Sequence, residues 1–312
     1  MNCSRPLRIS RACALAFSTA VLLCLAGTGP SSAMSGPVSS PSGTPGVKSA
    51  VTAGASTSAR RAHLLQASAR GGPWAAASFS GLPQGVDVSS NQHWGGGGID
   101  WGQVRGAGYE FALIKATEGD YYVNPFFGED YGATKNADMY RGAYHFAIPS
   151  VSDGASQADF FLNNAAYRGD GANLAPTVDL EWNPYDSSQP CYGMGPTELV
   201  SWVTAFRDEV KHHIDRPPAI YTTASWWNQC TDGNTSFAGD PLWVAAYEVD
   251  DPPLPSGWSA STMWQYTCKG AVPGIPGEVD INYFSGPRSD LDLFAGRPRP
   301  PRAAPPPVAR PT

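Results

Sequence analysis

An α/β barrel whose last three strands have lost their helices is the fold class that the sequence predicts, on three observations. Eight short apolar runs bounded by Gly, Pro and Asn recur between residues 85 and 284. Segments with helical character lie in the gaps between the first five runs. After the fifth, the connections turn Pro- and Gly-rich, as in 250-DDPPLPSGW-258 and 269-KGAVPGIPGE-278. Alternating strand and helix implies parallel βα units, and eight strands imply closure into a ring. An open doubly wound sheet is the competing architecture, but the phosphate loop it often carries is missing. The run 95-GGGG-98 lacks G-x-G-x-x-G spacing and reads as a turn.

The eight strands are 85-GVDVSS-90, 111-FALIKA-116, 141-RGAYHFA-147, 175-APTVDLEW-182, 218-PAIYTT-223, 242-LWVAAY-247, 262-TMWQYT-267 and 278-EVDINYF-284. Helices are expected over Asp100 to Ala107, Phe127 to Asp138, Ser152 to Asn164 and, most clearly, 197-TELVSWVTAFRDEVKHHI-214. In that last segment Leu199, Val203, Phe206 and Val210 recur at helical spacing and form one apolar face. Pro196 and Glu198 suit its start, while Lys211, His212 and His213 suit the negative end of the helix dipole.

The flanks read differently. Residues 1–33 combine Arg5, Arg8 and Arg11, an apolar core from Ala12 to Gly27, and a small-residue cleavage site at Ser31-Ser32-Ala33, as an export signal does. Cys24 raises lipidation as an alternative, although Leu23 rather than a small residue precedes it. Residues 34–81, rich in Ser, Gly, Ala and Pro, cannot bury enough surface to offset chain entropy and read as a propeptide or linker. Residues 297–312 are a Pro-rich basic tail, leaving one domain over 82–296. A secreted, extracellular monomer follows, with cell-wall association open and no membrane contact after signal cleavage.

The chain carries 21 Lys and Arg against 27 Asp and Glu, a net charge of -6, so charge gives no support for nucleic-acid binding. Cys3, Cys13 and Cys24 fall in the signal. Of the remaining three, Cys191 and Cys230 are expected to form a disulfide in an oxidising compartment, tying two strand-end loops together. Cys268 is then expected as a buried thiol.

The stretch 176-PTVDLEW-182 carries the chemistry. Side chains alternate along a strand, so Asp179 and Glu181 share one face while Val178, Leu180 and Trp182 share the other. Barrel active sites lie at the C-terminal ends of strands, and ring closure sets Asp87 of the first strand beside Asp280 of the last. The fourth strand faces them across the mouth, so four carboxylates converge. Singly, Asp87 or Asp280 reads as a turn or helix cap, and the paired acids read as an ion pair with Lys115 or an arginine. Neither reading explains the aromatics near the same strand ends, Tyr144, Trp182, Tyr221, Trp226, Trp227, Trp264 and Tyr266. Aromatic faces beside paired acids suit a sugar, whose ring has apolar C–H faces. No cofactor is implied. The five histidines form no metal-ligand pattern, and there is no G-x-S-x-G for a serine hydrolase. Glycoside hydrolysis fits the residues best, since it needs one protonated and one ionised carboxyl.

The motifs 85-GVDVSSNQ-92, 99-IDW-101, 112-ALIKATEG-119, 140-YRGAYHFA-147, 177-TVDLEWNP-184, 220-IYTT-223, 242-LWVAAY-247, 263-MWQY-266 and 279-VDINYF-284 together resemble glycoside hydrolase family 25, the Chalaropsis-type lysozymes. The resemblance covers nearly all of residues 84–285 in order. It implies an irregular TIM-like barrel of five βα units followed by three β-strands without helices. It also implies N-acetylmuramidase activity on peptidoglycan glycan strands. On the matching motifs the general acid falls on Glu181, its partner on Asp179, and the flanking acids on Asp87 and Asp280. Tyr144, Tyr221 and Trp264 fall on positions lining the cleft, and Trp182 joins them as a sugar-contact candidate from its place beside the acids. A glycan-binding module without turnover and a chitinase-like hydrolase are the alternatives. Chitinases carry a further Asp where this strand has Pro176 and Thr177.

Overall fold

The computed structural model describes residues 81–93, 97–165 and 167–297. The expected signal, nearly all of the expected linker and the tail from residue 298 lie outside them, as does part of the glycine run.

The described chain forms β1 (Gln84–Val88), α1 (Trp101–Gly106), β2 (Phe111–Glu118), β3 (Tyr122–Val123), α2 (Phe127–Asn136), β4 (Tyr140–Phe146), α3 (Gly154–Ala165) and β5 (Thr177–Asp179). It continues with α4 (Pro196–Ile214), β6 (Ala219–Thr222), α5 (Ala224–Cys230), β7 (Leu242–Ala245), β8 (Met263–Gly270), β9 (Val279–Phe284) and α6 (Arg288–Phe294). Strands β1, β2, β4, β5, β6, β7, β8 and β9 pair in that order, and β1 pairs with both β2 and β9, closing the ring. All eight predicted strands are present. The two-residue β3 is an addition, a short antiparallel flap on the end of β2.

Neighbours run parallel from β1 round to β8, whereas β9 is antiparallel to both β8 and β1. Five βα units followed by three strands without intervening helices match the predicted class. The fifth helix, α5, escaped the periodicity reading because two turns are too short to display a stripe. Its start is nonetheless built, since Thr223 Oγ1 accepts from Trp226 N–H at 3.1 Å as an N-cap. Trp226 and Trp227, expected among the strand-end aromatics, instead fill the layer beneath α5.

Alternation along the strands divides the interior in two. Val86, Ile114, Val178, Ile220 and Val244 point outward and meet Phe161, Leu199, Val203, Phe206 and Trp226 of the helices. Helix α4 buries the predicted stripe with Trp202 added, and Glu198 accepts from Gly195 N–H at 2.8 Å to close its first turn. Each such fully buried side chain stabilises by about 1.5 to 3 kcal/mol. The inward set includes Phe111, Leu113, Tyr140, Tyr144, Tyr221, Trp243, Met263 and Phe284. Gly85 is required at the inner wall, because a Cβ there would meet the Phe111 ring at 2.3 Å.

One irregularity shapes the mouth. The β2–β4 register slips between Lys115 and Thr117, a bulge at Ala116. In a regular strand Lys115 and Glu118 would face opposite ways. Lys115 continues the inward set of Phe111 and Leu113, the bulge turns Glu118 inward as well, and the two form a buried ion pair.

Cys191 and Cys230 are disulfide-bonded as expected, with Cα atoms 5.5 Å apart, joining the loop after β5 to the end of α5. Cys268, expected as a buried thiol, is half-buried on β8.

Candidate active site

Asp87 and Asp280 are direct register partners across β1 and β9. Asp280 is the second residue of its strand rather than near its C-terminal end. Because β9 is antiparallel to β1, its beginning lies at the mouth where the parallel strands finish. Asp179 is the last residue of β5, a strand shorter than the predicted 175–182, and Glu181 follows just past its end. The backbone stays extended enough there for Leu180 N–H to donate to Tyr221 O at 2.9 Å.

Electrostatics joins the four acids into one cluster. Burial pushes Asp87 up to about 6, although two hydrogen bonds favour its ionised form. Asp179 is raised well above the usual carboxylate range, first by burial and then by the charge of Glu181, while Lys115 pulls it down. Asp280 is raised in the same way, by burial and then by Asp87 and Glu181. Carboxylates that repel one another at close range cannot all ionise together, so the cluster holds protonated and ionised members at one pH. The Tyr144 hydroxyl is raised by burial and by the charges of all four, as a group at their centre must be.

A network of amides fixes Asp87. Its Oδ2 accepts from Gln265 Nε2 at 2.9 Å and from Asn282 Nδ2 at 2.8 Å. Gln265 Oε1 accepts from the Tyr221 and Tyr247 hydroxyls at 2.7 and 2.5 Å, and Asn282 Oδ1 accepts from Trp243 Nε1 at 2.8 Å. With each carbonyl oxygen engaged, both NH₂ groups are turned toward Asp87. Sequence reading did not single out Gln265, Asn282, Trp243 or Tyr247. The available signal was alternation, since Asn282 lies two residues from Asp280 and therefore on its face.

The aromatic expectations divide. Tyr144 and Tyr221 are inward, buried, and packed edge-on against Trp243 at ring-centroid distances of 6.3 and 4.4 Å. Trp264 is not in the mouth. Gln265 takes the inward position of β8, so Trp264 faces outward, donates to Ala246 O at 2.8 Å and packs against Tyr266. Trp182 likewise lies half-buried against the outer layer. His145 is a core residue. Its ring bonds Thr117 at 2.8 Å and Gln157 at 3.0 Å, and burial lowers its pKa to about 3. Lys115, weighed as an ion-pair partner for the paired acids, forms its buried ion pair with Glu118.

Residues 86–275 match the family model for glycosyl hydrolases family 25. The chain belongs to that family. Its relatives include Lysozyme M1 of Streptomyces globisporus, 44% identical over 214 residues, or 68% of this chain and 71% of that one. The N,O-diacetylmuramidase of Chalaropsis sp is 37% identical over 207 residues, 63% of this chain and 95% of the relative. Among solved structures, the bacterial lysozyme from Streptomyces coelicolor superposes with a TM-score of 0.66 at 41% identity, covering 69% of this chain and 98% of that one. A family 25 lysozyme from Aspergillus fumigatus gives 0.63 at 37% identity, covering 69% and 99%. The family 25 match ends before Asp280 and Asn282. The pairing of β9 with β1 ties both residues to the matched region.

Proposed function

We propose that this glycoside hydrolase is a muramidase, cleaving the β-1,4 bond between N-acetylmuramic acid and N-acetylglucosamine in peptidoglycan, with Glu181 as general acid and Asp179 as its partner carboxylate. The observation that carries the reading is the acid cluster at one barrel mouth, in which Asp87, Asp179 and Asp280 are all pushed above the usual carboxylate range by burial, and Asp179 and Asp280 also by the charges of neighbouring acids. Bond cleavage needs a proton delivered to the leaving oxygen and negative charge beside the oxocarbenium-like centre. Glu181, just past the end of β5 and half-buried, reaches the mouth with solvent access for proton exchange. Asp179, buried two residues earlier, supplies charge within reach of the same bond or orients the substrate's acetamido group. Asp87 and Asp280 line the opposite side, and Tyr144 and Tyr221 offer ring faces and hydroxyls to the sugar. The names of the relatives, lysozyme and N,O-diacetylmuramidase, support this substrate class.

The flanks fit an exported enzyme. Residues 1–33 would be removed as the signal, 34–81 would serve as propeptide or linker, 82–296 would be the catalytic domain and 297–312 a Pro-rich tail. The secreted product would act on wall glycan as a monomer. No helix among the described residues is long and apolar enough to cross a membrane.

The test is digestion of one defined peptidoglycan with mass analysis of the products. N-acetylmuramic acid at the new reducing ends is expected from the wild type. Glu181→Gln keeps size and hydrogen bonding but lacks the transferable proton, and should lower the rate by about 10³-fold or more. Binding without release of reducing ends, or release from chitin in preference to peptidoglycan, would overturn the proposal.

A further inference from the structure

The acidic mouth contains a cation that hydrolysis as described above does not use. Lys115 faces inward in step with Phe111 and Leu113, and the bulge at Ala116 brings Glu118 to the same face. Its ammonium pairs with Glu118 Oε2 and lies 4.5 Å from the centroid of the Phe146 ring. Phe146 is the register partner of Glu118 on one side and of Asp179 on the other. Glu118, Phe146 and Asp179 therefore form one row across β2, β4 and β5, with the Lys115 ammonium over its middle member. The other buried basic side chains among the described residues are committed elsewhere. Arg141 pairs with Asp170, His93 pairs with Asp130, and His145 bonds Thr117 and Gln157.

Glu118 is itself held from outside. Its Oε1 accepts from the Tyr121 hydroxyl at 3.3 Å and from the Tyr185 hydroxyl, which reaches over from the loop after β5. Both oxygens are thus engaged, and the carboxylate cannot swing toward the cleft. An ion pair serving only to stabilise the wall would be an expensive choice, because desolvating two charges commonly cancels their attraction. Two opposite charges held beside a third group do something else: each biases that group's ionisation, and with opposite sign.

We propose that Lys115 and Glu118 are positioning residues for glycoside cleavage: Lys115 is the counter-cation that favours the ionised form of Asp179 amid the other carboxylates, and Glu118 tethers Lys115 and tempers its charge. The inference rests on the muramidase reading for its activity readout. The charged groups acting on Asp179 are Glu181 from beyond β5, Lys115 and Glu118 from β2, and Asp87 from β1. The Tyr144, Tyr192 and Tyr221 hydroxyls also feel its charge. Removing Lys115 makes ionising Asp179 harder, and removing Glu118 makes it easier.

The experiment compares Lys115→Met, Glu118→Gln and the double variant with wild type, following kcat/KM against pH on a soluble peptidoglycan fragment. In parallel, carboxyl ¹³C NMR titration follows Asp179, assigned by its absence in Asp179→Asn. The acid limb and the Asp179 titration should move up by about one pH unit in Lys115→Met and down by about the same in Glu118→Gln. The double variant should return toward wild type. Loss of an ion pair that matters only for folding would affect both single variants alike and leave both pH readouts in place. Shifts of the same sign, or no shift, overturn the proposal. If Lys115→Met does not fold, Glu118→Gln must still titrate below both wild type and the double variant, and failure to do so overturns it equally. The NMR titration reads Asp179 without turnover, so an enzyme inactive on peptidoglycan would sink the muramidase reading while this one is judged separately.

Discussion

On the β1–β9–β8 wall of the mouth, Asp87 receives two carboxamide hydrogen bonds, and those amides are themselves held by Tyr221, Tyr247 and Trp243. On the β5 side, the Asp179 Oδ1 atom and the Tyr192 hydroxyl are both buried and find no hydrogen-bond partner among the described residues. The charges of Glu181 and Asp179 both bear on Tyr192, so the two orphaned groups belong to the same site. A buried polar atom left unpaired costs about 1 to 3 kcal/mol. A network with every member satisfied adds rigidity instead. One wall is therefore finished in the free protein, and the other keeps unmet hydrogen-bonding capacity where a substrate's acetamido and hydroxyl groups can supply it.

Breaking the finished wall should have the largest effect. Asn282→Leu strands both the Trp243 indole N–H and one side of Asp87 in the interior. It should destabilise by about 2 to 4 kcal/mol in denaturant unfolding and lower kcat by more than tenfold. A stability loss no greater than that of an average surface substitution would mean that the network is not a unit.

Asp87 itself supplies a pH signature. Its folded pKa of about 6 lies above the ordinary value of 3.8, so the folded state binds the extra proton between those limits. Stability on this account is fully present below pH 3.8 and is lost as pH rises through 6. Asp87→Asn cannot ionise. It should be more stable than wild type by about 1 to 3 kcal/mol at pH 7 and indistinguishable from it near pH 4, while losing activity. Thermal melts at the two pH values measure this, and an equal difference at both would contradict it.

The smallest effect sharpens the contrast. Tyr192→Phe removes an orphaned hydroxyl, so it should leave stability unchanged or raise it by up to about 1 kcal/mol while raising KM several-fold. A lower melting temperature with unchanged KM would show that the hydroxyl is already satisfied without substrate.

Much of this was legible in the residues. Short β-branched runs and the Leu199, Val203, Phe206 and Val210 stripe are local patterns, and each became the expected element. The adjacency of Asp87 and Asp280 followed from ring closure, although the reason offered, C-terminal strand ends, holds only for the parallel strands. Gln265 and Asn282 were not legible as functional, because an amide in a strand has no local mark. Only closure brings them to a carboxylate 178 and 195 residues away. Trp264 misled for the opposite reason. Its neighbourhood suggested the cleft, but alternation gave the inward position to Gln265.

By itself, then, the sequence determined the alternation of elements, the paired acids at the end of β5 and the cysteines able to bridge two loops, because these depend on periodicity and spacing within short stretches. The tertiary structure alone decided which way β9 runs, which amides fix Asp87, and that a bulge at Ala116 turns Lys115 and Glu118 to the same face. Those features arise where distant segments meet, and the burial and field acting on each carboxylate exist only after the ring has closed.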